Sequence, residues 1–365
     1  MQMGTGDERY SLWSVYDKTE AIQGIVDFIE EKNEWEYKNC TFGDAAGNLT
    51  MYDPDLVVMD WMYDAESTDE GDPIFNAIYE RDFVPIIVFS AIASTISDAV
   101  THIAENNPMI EIIPKGDEQV VINKIEQWEP YILAVKESKR ELNKSLLASA
   151  RAMAYFFNIR NTDVNVVKYM LTKRIQNSFS HVEEEFTPPA WIEYEYPPMN
   201  EKLMAADIIR KNDGDDSQVA KAAKYYVILT PSCDMARAKL DTYILVAKCE
   251  NAGSLYKTTA ETPDRDNVKR DVKKYINTGY NYAKVPLPEL PQKIPYMTVN
   301  LKSIERLQLS QIALDEKEAD GKDYYRVASL SSPFRENVVW AHMINSCRPG
   351  MPDRDVDAWV DSIVE

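Results

Sequence analysis

The chain lacks any apolar run of about 18 residues, which excludes an obvious transmembrane helix. Its four cysteines lie far apart and form no Cys-x-x-Cys pair, a pattern typical of reduced thiols in a cytosol rather than of a disulfide framework. Residues 1–10 are polar and acidic, unlike a secretory signal peptide. We therefore expect a cytoplasmic protein with no membrane partner.

Basic residues are scarce in the first third of the chain. The formal net charge is −20, and the first 135 residues account for all of it, because the remainder is neutral overall. No basic stripe is present to bind a phosphate backbone, so we expect no nucleic-acid partner. The acidic first segment is better suited to holding a cation.

Short apolar runs in this acidic segment predict buried parallel strands that alternate with helices. Such alternation predicts an α/β fold with helices on both faces of the sheet. The predicted strands are Ser11–Tyr16, a weaker one within Tyr37–Phe42, Leu56–Met59, Ile86–Phe89 and Ile110–Ile113. The predicted helices are Thr19–Glu31, Pro73–Glu80, Ala93–Glu105 and Glu118–Trp128.

The rest of the chain predicts two further regions. Residues 129–180 carry an apolar stripe at helical spacing, which indicates either a helical linker packed on a neighbouring domain or the interface helix of a homodimer. From about residue 200, β-rich runs and proline-rich turns predict an α+β domain, with a small β-barrel as its expected core. We place the domains at 8–130, 131–182 and 200–365.

Four polar residues stand at the ends of predicted strands: Asp17, Asp60, Ser90 and Lys115. In a parallel sheet these ends meet at one edge. Two carboxylates there can hold Mg²⁺ with water and a phosphate oxygen. Asp60 can act as a carboxylate nucleophile, and the Lys115 ammonium can offset charge on a transferred phosphoryl group.

This arrangement resembles the receiver domain of bacterial response regulators over roughly residues 10–128. The stretches that carry the resemblance are Val15-Tyr-Asp17, Asp55-Leu-Val-Val-Met-Asp60, Pro85-Ile-Ile-Val-Phe-Ser-Ala91 and Ile113-Pro-Lys115. The resemblance implies a flavodoxin-like (βα)5 fold with Asp60 as phospho-acceptor. It also implies Mg²⁺ held by Asp17, Asp60 and the backbone carbonyl of Met62, with Ser90 as the hydroxyl switch and Lys115 as the phosphate-binding lysine.

The sequence departs from the family pattern at three positions. Tyr16 stands where the family has a second acid, Ile112 where it has an aromatic switch residue, and Gly116 where it commonly has proline. The loop that follows Asp60 is acidic, and its Asp64, Glu66 or Asp69 could compensate for the missing acid. In these departures the segment resembles the receiver-like domains of bacterial antiviral conflict systems.

The C-terminal segment offers weaker candidates. Cys233 follows a predicted strand, and His342 is the sole histidine of that segment that could serve it as a base. A zinc site would need Cys233, Cys249, His342 and Cys347, which include no closely spaced ligand pair. Arg326 and Arg335 could bind an anion or pair with acids. Ser332 before Pro333 predicts a helix N-cap.

We therefore expect a two-component-type signalling protein in bacterial, anti-phage defence, and not an enzyme with its own substrate turnover. A histidine kinase would phosphorylate Asp60 with Mg²⁺, and the C-terminal domain would bind a protein partner. Three alternatives stay open: a pseudo-receiver scaffold, a phosphate sink for another regulator, and a C-terminal enzyme that uses Cys233.

Overall fold

Two units make up the chain, residues Met1–Glu183 and Glu184–Glu365. Their structure is a computed structural model. It describes residues 9–16, 19–51, 54–61, 71–80, 84–91, 96–160, 163–179, 187–214, 221–256, 265–281, 283–347 and 355–364. No helix within these ranges is both long and apolar enough to cross a bilayer.

The first unit contains a five-stranded parallel sheet in the order β2-β1-β3-β4-β5. This is the flavodoxin-like strand order, and it confirms the α/β fold. The strands are β1 (Tyr10–Val15), β2 (Trp35–Cys40), β3 (Leu56–Met59), β4 (Ile86–Ser90) and β5 (Ile110–Pro114). The helices are α1 (Gln23–Glu31), α2 (Phe42–Met51), α3 (Gly71–Tyr79), α4 (Asp98–Asn106), α5 (Glu118–Arg160) and α6 (Val164–Phe179).

Both faces of this sheet are buried, as expected for strands with continuous apolar runs. In β3 the side chains alternate: Leu56 and Val58 pack on one face, and Val57 and Met59 on the other. Helix α1 and the start of α5 cover the first face, whereas α2, α3 and α4 cover the second. The two layers of helices fix the strand ends that carry the candidate site.

Helix α5 joins the helix predicted at Glu118–Trp128 to the helical region predicted from residue 129, and it runs through Pro130 without a break. The N-terminal part of α5 is hydrogen-bonded to the residues around the start of β2. There Glu129 accepts hydrogen bonds from Lys32 Nζ and Trp35 Nε1, both at 2.7 Å. Lys136 Nζ adds an ion pair to Asp55 at 2.6 Å. Beyond this point Leu142, Leu146 and Leu147 of the predicted apolar stripe are exposed. The helix therefore carries an unused apolar surface away from the strands.

The second unit is an α+β domain built on a mostly antiparallel sheet, in the order β10-β11-β9-β8-β7-β13-β12, with β6 beside β13. Its strands are β6 (Tyr194–Glu195), β7 (Asp207–Lys211), β8 (Tyr225–Ile228), β9 (Tyr243–Asn251), β10 (Lys284–Leu287), β11 (Met297–Gln308), β12 (Ile312–Ala313) and β13 (Tyr324–Leu330). Its helices are α7 (Ser232–Met235), α8 (Arg265–Thr278), α9 (Phe334–Ser346) and α10 (Val356–Val364).

Two expectations for this unit need correction. Among the described strands, the terminal pair β10 and β12 are not bonded to each other, so the sheet is open and closure into a small β-barrel is not seen. The predicted N-cap at Ser332 is also wrong, because Pro333 occupies the N-cap position of α9 and no side chain caps the helix. Proline has no backbone N–H of its own, and the amide of Arg335 in the first turn donates to the carbonyl of Ser331 at 2.9 Å.

Candidate functional site

The site lies at the carboxyl ends of three consecutive strands. Asp60 directly follows β3, Ser90 ends β4, and Lys115 directly follows β5. Because β3, β4 and β5 are neighbours and parallel, these positions share one edge of the sheet. The backbone reinforces the arrangement, since the amide of Lys115 donates to the carbonyl of Ser90 at 3.0 Å. The fold thus brings together the three residues predicted to handle a phosphoryl group.

Asp60 and Lys115 form a direct ion pair between Oδ2 and Nζ. The other carboxylate oxygen, Oδ1, accepts a hydrogen bond of 2.8 Å from the backbone amide of Trp61. The side chains of Asp60 and Lys115 keep 17% and 24% of their surface exposed. The carboxylate is therefore fixed in position and charge-paired, yet it stays within reach of a reactant from solvent.

Trp61 holds the end of β3 in place. Its side chain is fully buried and its ring packs against Phe75 of α3, with 6.4 Å between the ring centroids. This packing requires Gly71 at the start of α3, because a Cβ there would lie only 2.5 Å from the Trp61 ring. The backbone amide that orients Asp60 is thus supported from α3. The sequence pattern did not predict this role, although a large aromatic residue directly after Asp60 could have indicated it.

Ser90 is buried, and its hydroxyl has no hydrogen-bond partner among the described residues. An unsatisfied buried hydroxyl is unusual in a folded protein and costs free energy. It lies on the strand between those that present Asp60 and Lys115. The switch role of Ser90 stays a prediction.

Tyr16 occupies the place of the family's second acid, and it has a structural role. Its side chain is buried, and its hydroxyl donates a 2.6 Å hydrogen bond to the carbonyl of Phe89 at the end of β4. The Lys115 ammonium lies over its ring, 5.0 Å from the centroid. Burial of the side chain, and to a smaller extent the negative charge of Asp60, raises the pKa of Tyr16 well above its ordinary value. The hydroxyl therefore stays protonated and donates.

Two of the predicted metal ligands, Asp17 and Met62, lie outside the described residues, as do Asp64, Glu66 and Asp69. Within the described ranges, no cluster of three acidic, histidine or cysteine side chains could hold a metal ion. Asp60 does offer a carboxylate of the kind that a hard divalent cation prefers. Tyr16 is not available as a ligand because its hydroxyl is committed to Phe89. Asp60 therefore supplies one oxygen donor of the type that Mg²⁺ prefers, and the other predicted ligands lie outside the described residues.

The remaining departures from the family pattern are also placed by the structure. Ile112 is partly buried and packs against the core on the side of β3 that carries Val57 and Met59. Gly116 has a φ of 147°, a backbone conformation that side chains other than glycine rarely adopt. The turn after Lys115 is thus made by glycine in place of the family's proline.

The cysteine candidates of the second unit do not converge. Cys233 is exposed, and its sulfur contacts Asp234 Oδ1 at 3.7 Å. His342 instead contacts the hydroxyl of Ser346 at 3.4 Å. Cys249 is fully buried, which raises the pKa of its thiol. Among the described residues no group of three such side chains could hold a zinc ion, and the contacts of Cys233 and His342 are with other residues.

Arg326 is a structural residue rather than an anion site. Its guanidinium is buried, lies 3.5 Å from Asp207 Oδ2, and donates to the carbonyls of Asn200 and Lys202 at 2.8 and 3.2 Å. Asp207 in turn accepts a 2.6 Å hydrogen bond from Ser329. Arg335 donates to a main-chain carbonyl at 3.1 Å. Of the two predicted roles, anion binding or pairing with acids, the structure shows pairing for Arg326, and Arg335 also lies 4.0 Å from Glu195.

Comparison with known proteins does not assign the chain to a family. No family model matches the chain, and no curated protein matches it. Similar solved structures include the RcsB response regulator of Salmonella typhimurium, which is 11% identical, with 49% of this chain and 94% of that chain covered and a TM-score of 0.28.

Two other solved structures are similar. One is RcsB from Salmonella enterica serovar Typhimurium, bound to a promoter in the presence of the phosphomimetic BeF3−. The other is a fusion that contains the yeast Spc42 trimeric coiled coil. The first is 13% identical, covering 48% of this chain and 94% of that chain, with a TM-score of 0.25. The fusion is 21% identical, with 41% of this chain and 95% of that chain covered and a TM-score of 0.27. Scores this low carry no argument about function, so the receiver-like fold of the first unit rests on its own strand order and strand-end residues.

Proposed function

We propose that the first unit is a phospho-acceptor receiver that takes a phosphoryl group on Asp60 from a partner histidine kinase and regulates the second unit. The observation that carries the proposal is the placement of Asp60, Ser90 and Lys115 on three adjacent strand ends, with Asp60 paired to Lys115 and the Ser90 hydroxyl without a described partner. If the Asp60–Lys115 ion pair only stabilised the fold, the strand between these two residues would not need the buried, unsatisfied hydroxyl of Ser90.

The chemistry follows from these side chains. An oxygen of Asp60 attacks phosphorus, a P–O bond forms, and the P–N bond to the donor histidine breaks, with the electron pair leaving on the imidazole. Lys115 offsets the charge that develops on the phosphoryl oxygens. Mg²⁺, held by Asp60 and by the predicted ligands Asp17 and Met62, would supply further charge neutralisation when bound. Ser90 then donates its hydrogen bond to a phosphoryl oxygen and draws the end of β4 toward it.

The second unit is proposed to bind a protein partner, in a defence-related signalling system. Helix α5 begins three residues after Lys115 and continues to Arg160, so one continuous helix of the first unit follows the site. Its exposed leucines are also where we propose that a second copy of the chain would pack. The absence of a nucleic-acid partner stays a prediction.

The test is incubation of the full chain with Mg²⁺ and acetyl phosphate, followed by intact-mass measurement. We expect one added phosphoryl group in the wild-type chain and in Asp98→Asn, which changes an exposed acid at the start of α4. We expect none in Asp60→Asn and much less in Lys115→Met. A phosphoryl group that persists on Asp60→Asn would overturn the site assignment.

One specific observation favours a pseudo-receiver scaffold as the second candidate. Tyr16 replaces an acid and is tied into the packing of β4, which removes one charge from any metal site. On that hypothesis the wild-type chain takes up no phosphoryl group at any Mg²⁺ concentration, and Asp60→Asn leaves partner binding unchanged. The phosphate-sink alternative predicts phosphorylation without any change in partner binding. The alternative of an enzyme that uses Cys233 has no described base to support it.

A further inference from the structure

The second unit contains a cavity of about 510 Å³, which falls within the size range of small-molecule sites. It is lined by α8, α9, β10, β11 and the turns that precede β6 and follow β9. Most of the lining is apolar, and it includes Val272, Leu287, Leu330 and Phe334. Nothing in the proposed signalling function uses this space.

Helix α8 lines this cavity without being buried itself. Val272 and Ile276 of this helix line the cavity, yet no residue of α8 is buried. In an ordinary domain the apolar side of a helix is packed against the core, because water-exposed apolar surface is costly. Here the helix lies over a gap, and a molecule in the gap would complete its packing.

A few polar groups converge on the same cavity. Asn337 of α9 donates through Nδ2 to the carbonyl of Gly279 at 3.0 Å, and this leaves its Oδ1 as an acceptor without a described donor. Gly279, with φ of 81°, permits the close approach, because a Cβ there would lie 2.1 Å from the Asn337 side chain. Glu193 also lines the cavity, and its carboxyl has no described hydrogen-bond partner. Both groups can accept a hydrogen bond from a ligand.

We infer that this cavity binds a small, mainly apolar molecule with an uncharged hydrogen-bonding head, such as a hydroxyl. The apolar lining accommodates the body, and Asn337 with Glu193 recognises the head. Burial raises the pKa of Glu193 to about 7, in keeping with a lining that disfavours charge. Above this pKa Glu193 is ionised and repels a carboxylate head, so anionic analogues are disfavoured there.

The test uses 1-decanol and decanoate, two probes of equal chain length that differ in the head group. Binding to the full chain is measured by isothermal titration calorimetry at about pH 8, where Glu193 is mostly ionised. We expect saturable, one-to-one binding of decanol and at least about tenfold weaker binding of decanoate. Glu193→Gln, which keeps the shape and removes the acid, should narrow that difference.

Cavity-filling variants locate the site. Ala252→Phe places an aromatic ring in the cavity and should weaken decanol binding about tenfold or more, whereas Ala236→Phe makes the same change at an exposed position outside it. Ala190→Phe fills the cavity from another turn and serves if Ala252→Phe does not fold. Decanol binding that is absent in the wild-type chain, does not saturate, or is unchanged in a folded filling variant overturns the inference.

Discussion

Replacing Tyr16 with phenylalanine tests whether this residue supports the site edge, and the structure sets the size of the effect. The substitution keeps the buried ring and removes only the hydroxyl that donates to the Phe89 carbonyl. A typical hydrogen bond contributes about 1 kcal/mol, and a buried carbonyl left without its donor costs about 1–3 kcal/mol. We expect the free energy of opening of the first unit to fall by about 1–3 kcal/mol.

Hydrogen exchange followed by mass spectrometry suits this measurement because it resolves the two units within the full chain. A loss of about 1–3 kcal/mol corresponds to exchange about 5- to 150-fold faster in peptides from β1 and β4. Peptides from the second unit provide an internal reference, because the substitution lies in the first unit. No binding partner or phosphodonor is needed, so the result does not depend on the proposed signalling function.

Tyr37→Phe is the matched control. The Tyr37 hydroxyl contacts the Ser14 hydroxyl at 2.7 Å, and Ser14 keeps its bond to Asn39 when Tyr37 is changed. We therefore expect a smaller effect, within about 0.5–1 kcal/mol. If exchange in Tyr16→Phe equals that of the wild-type chain, or is no faster than in Tyr37→Phe, the bond to Phe89 does not stabilise the site edge and Tyr16 has no supporting role there.

Three further outcomes are expected. The folded chain holds the Glu193 proton more tightly than the unfolded chain, so stability of the second unit should fall as pH rises from about 4.5 to about 7, and Glu193→Gln should remove this dependence in chemical unfolding. Asp207→Ala leaves the buried Arg326 without its carboxylate and should cost about 3–5 kcal/mol in thermal unfolding, whereas Glu36→Ala at an exposed pair should cost under about 1 kcal/mol. Gly116→Ala should destabilise the first unit by about 1–3 kcal/mol through backbone strain alone, since a Cβ there meets no neighbour, and faster exchange near Lys115 would report it.

The strands of the first unit were predicted well because strands that are buried on both faces have continuous apolar sequences. Leu56–Met59 matches β3 residue for residue, and the other four strands overlap their predictions. Helix α2 at Phe42–Met51 was missed because Gly43, Gly47 and Thr50 are poor helix formers, so the helix depends on tertiary packing that a local pattern does not reveal. Helices were predicted on both sides of Pro130, but their continuity as α5 was not, since proline normally interrupts a helix and here does not.

The candidate site was predictable only in part. Strand-end positions follow from the pattern, and the structure brings Asp60, Ser90 and Lys115 to one edge. The role of Tyr16 was not predictable, because its hydrogen-bond partner, the Phe89 carbonyl, is distant in the chain and its cation partner is Lys115. The resemblance framed Tyr16 as a lost acid, whereas the three-dimensional contacts make it a support for the lysine.

Ser90 connects the stability of the unphosphorylated chain to the proposed switch. Its buried hydroxyl has no described acceptor, so Ser90→Ala should leave the first unit as stable as before or raise its stability by up to about 1 kcal/mol in hydrogen exchange. After acetyl phosphate treatment, the wild-type chain should gain protection at the end of β4, and Ser90→Ala should not, while Ser90→Thr retains the hydroxyl and the response. A Ser90→Ala chain that is less stable than wild type before phosphorylation would mean that the hydroxyl already has a partner, and the energetic reason for the switch would be lost.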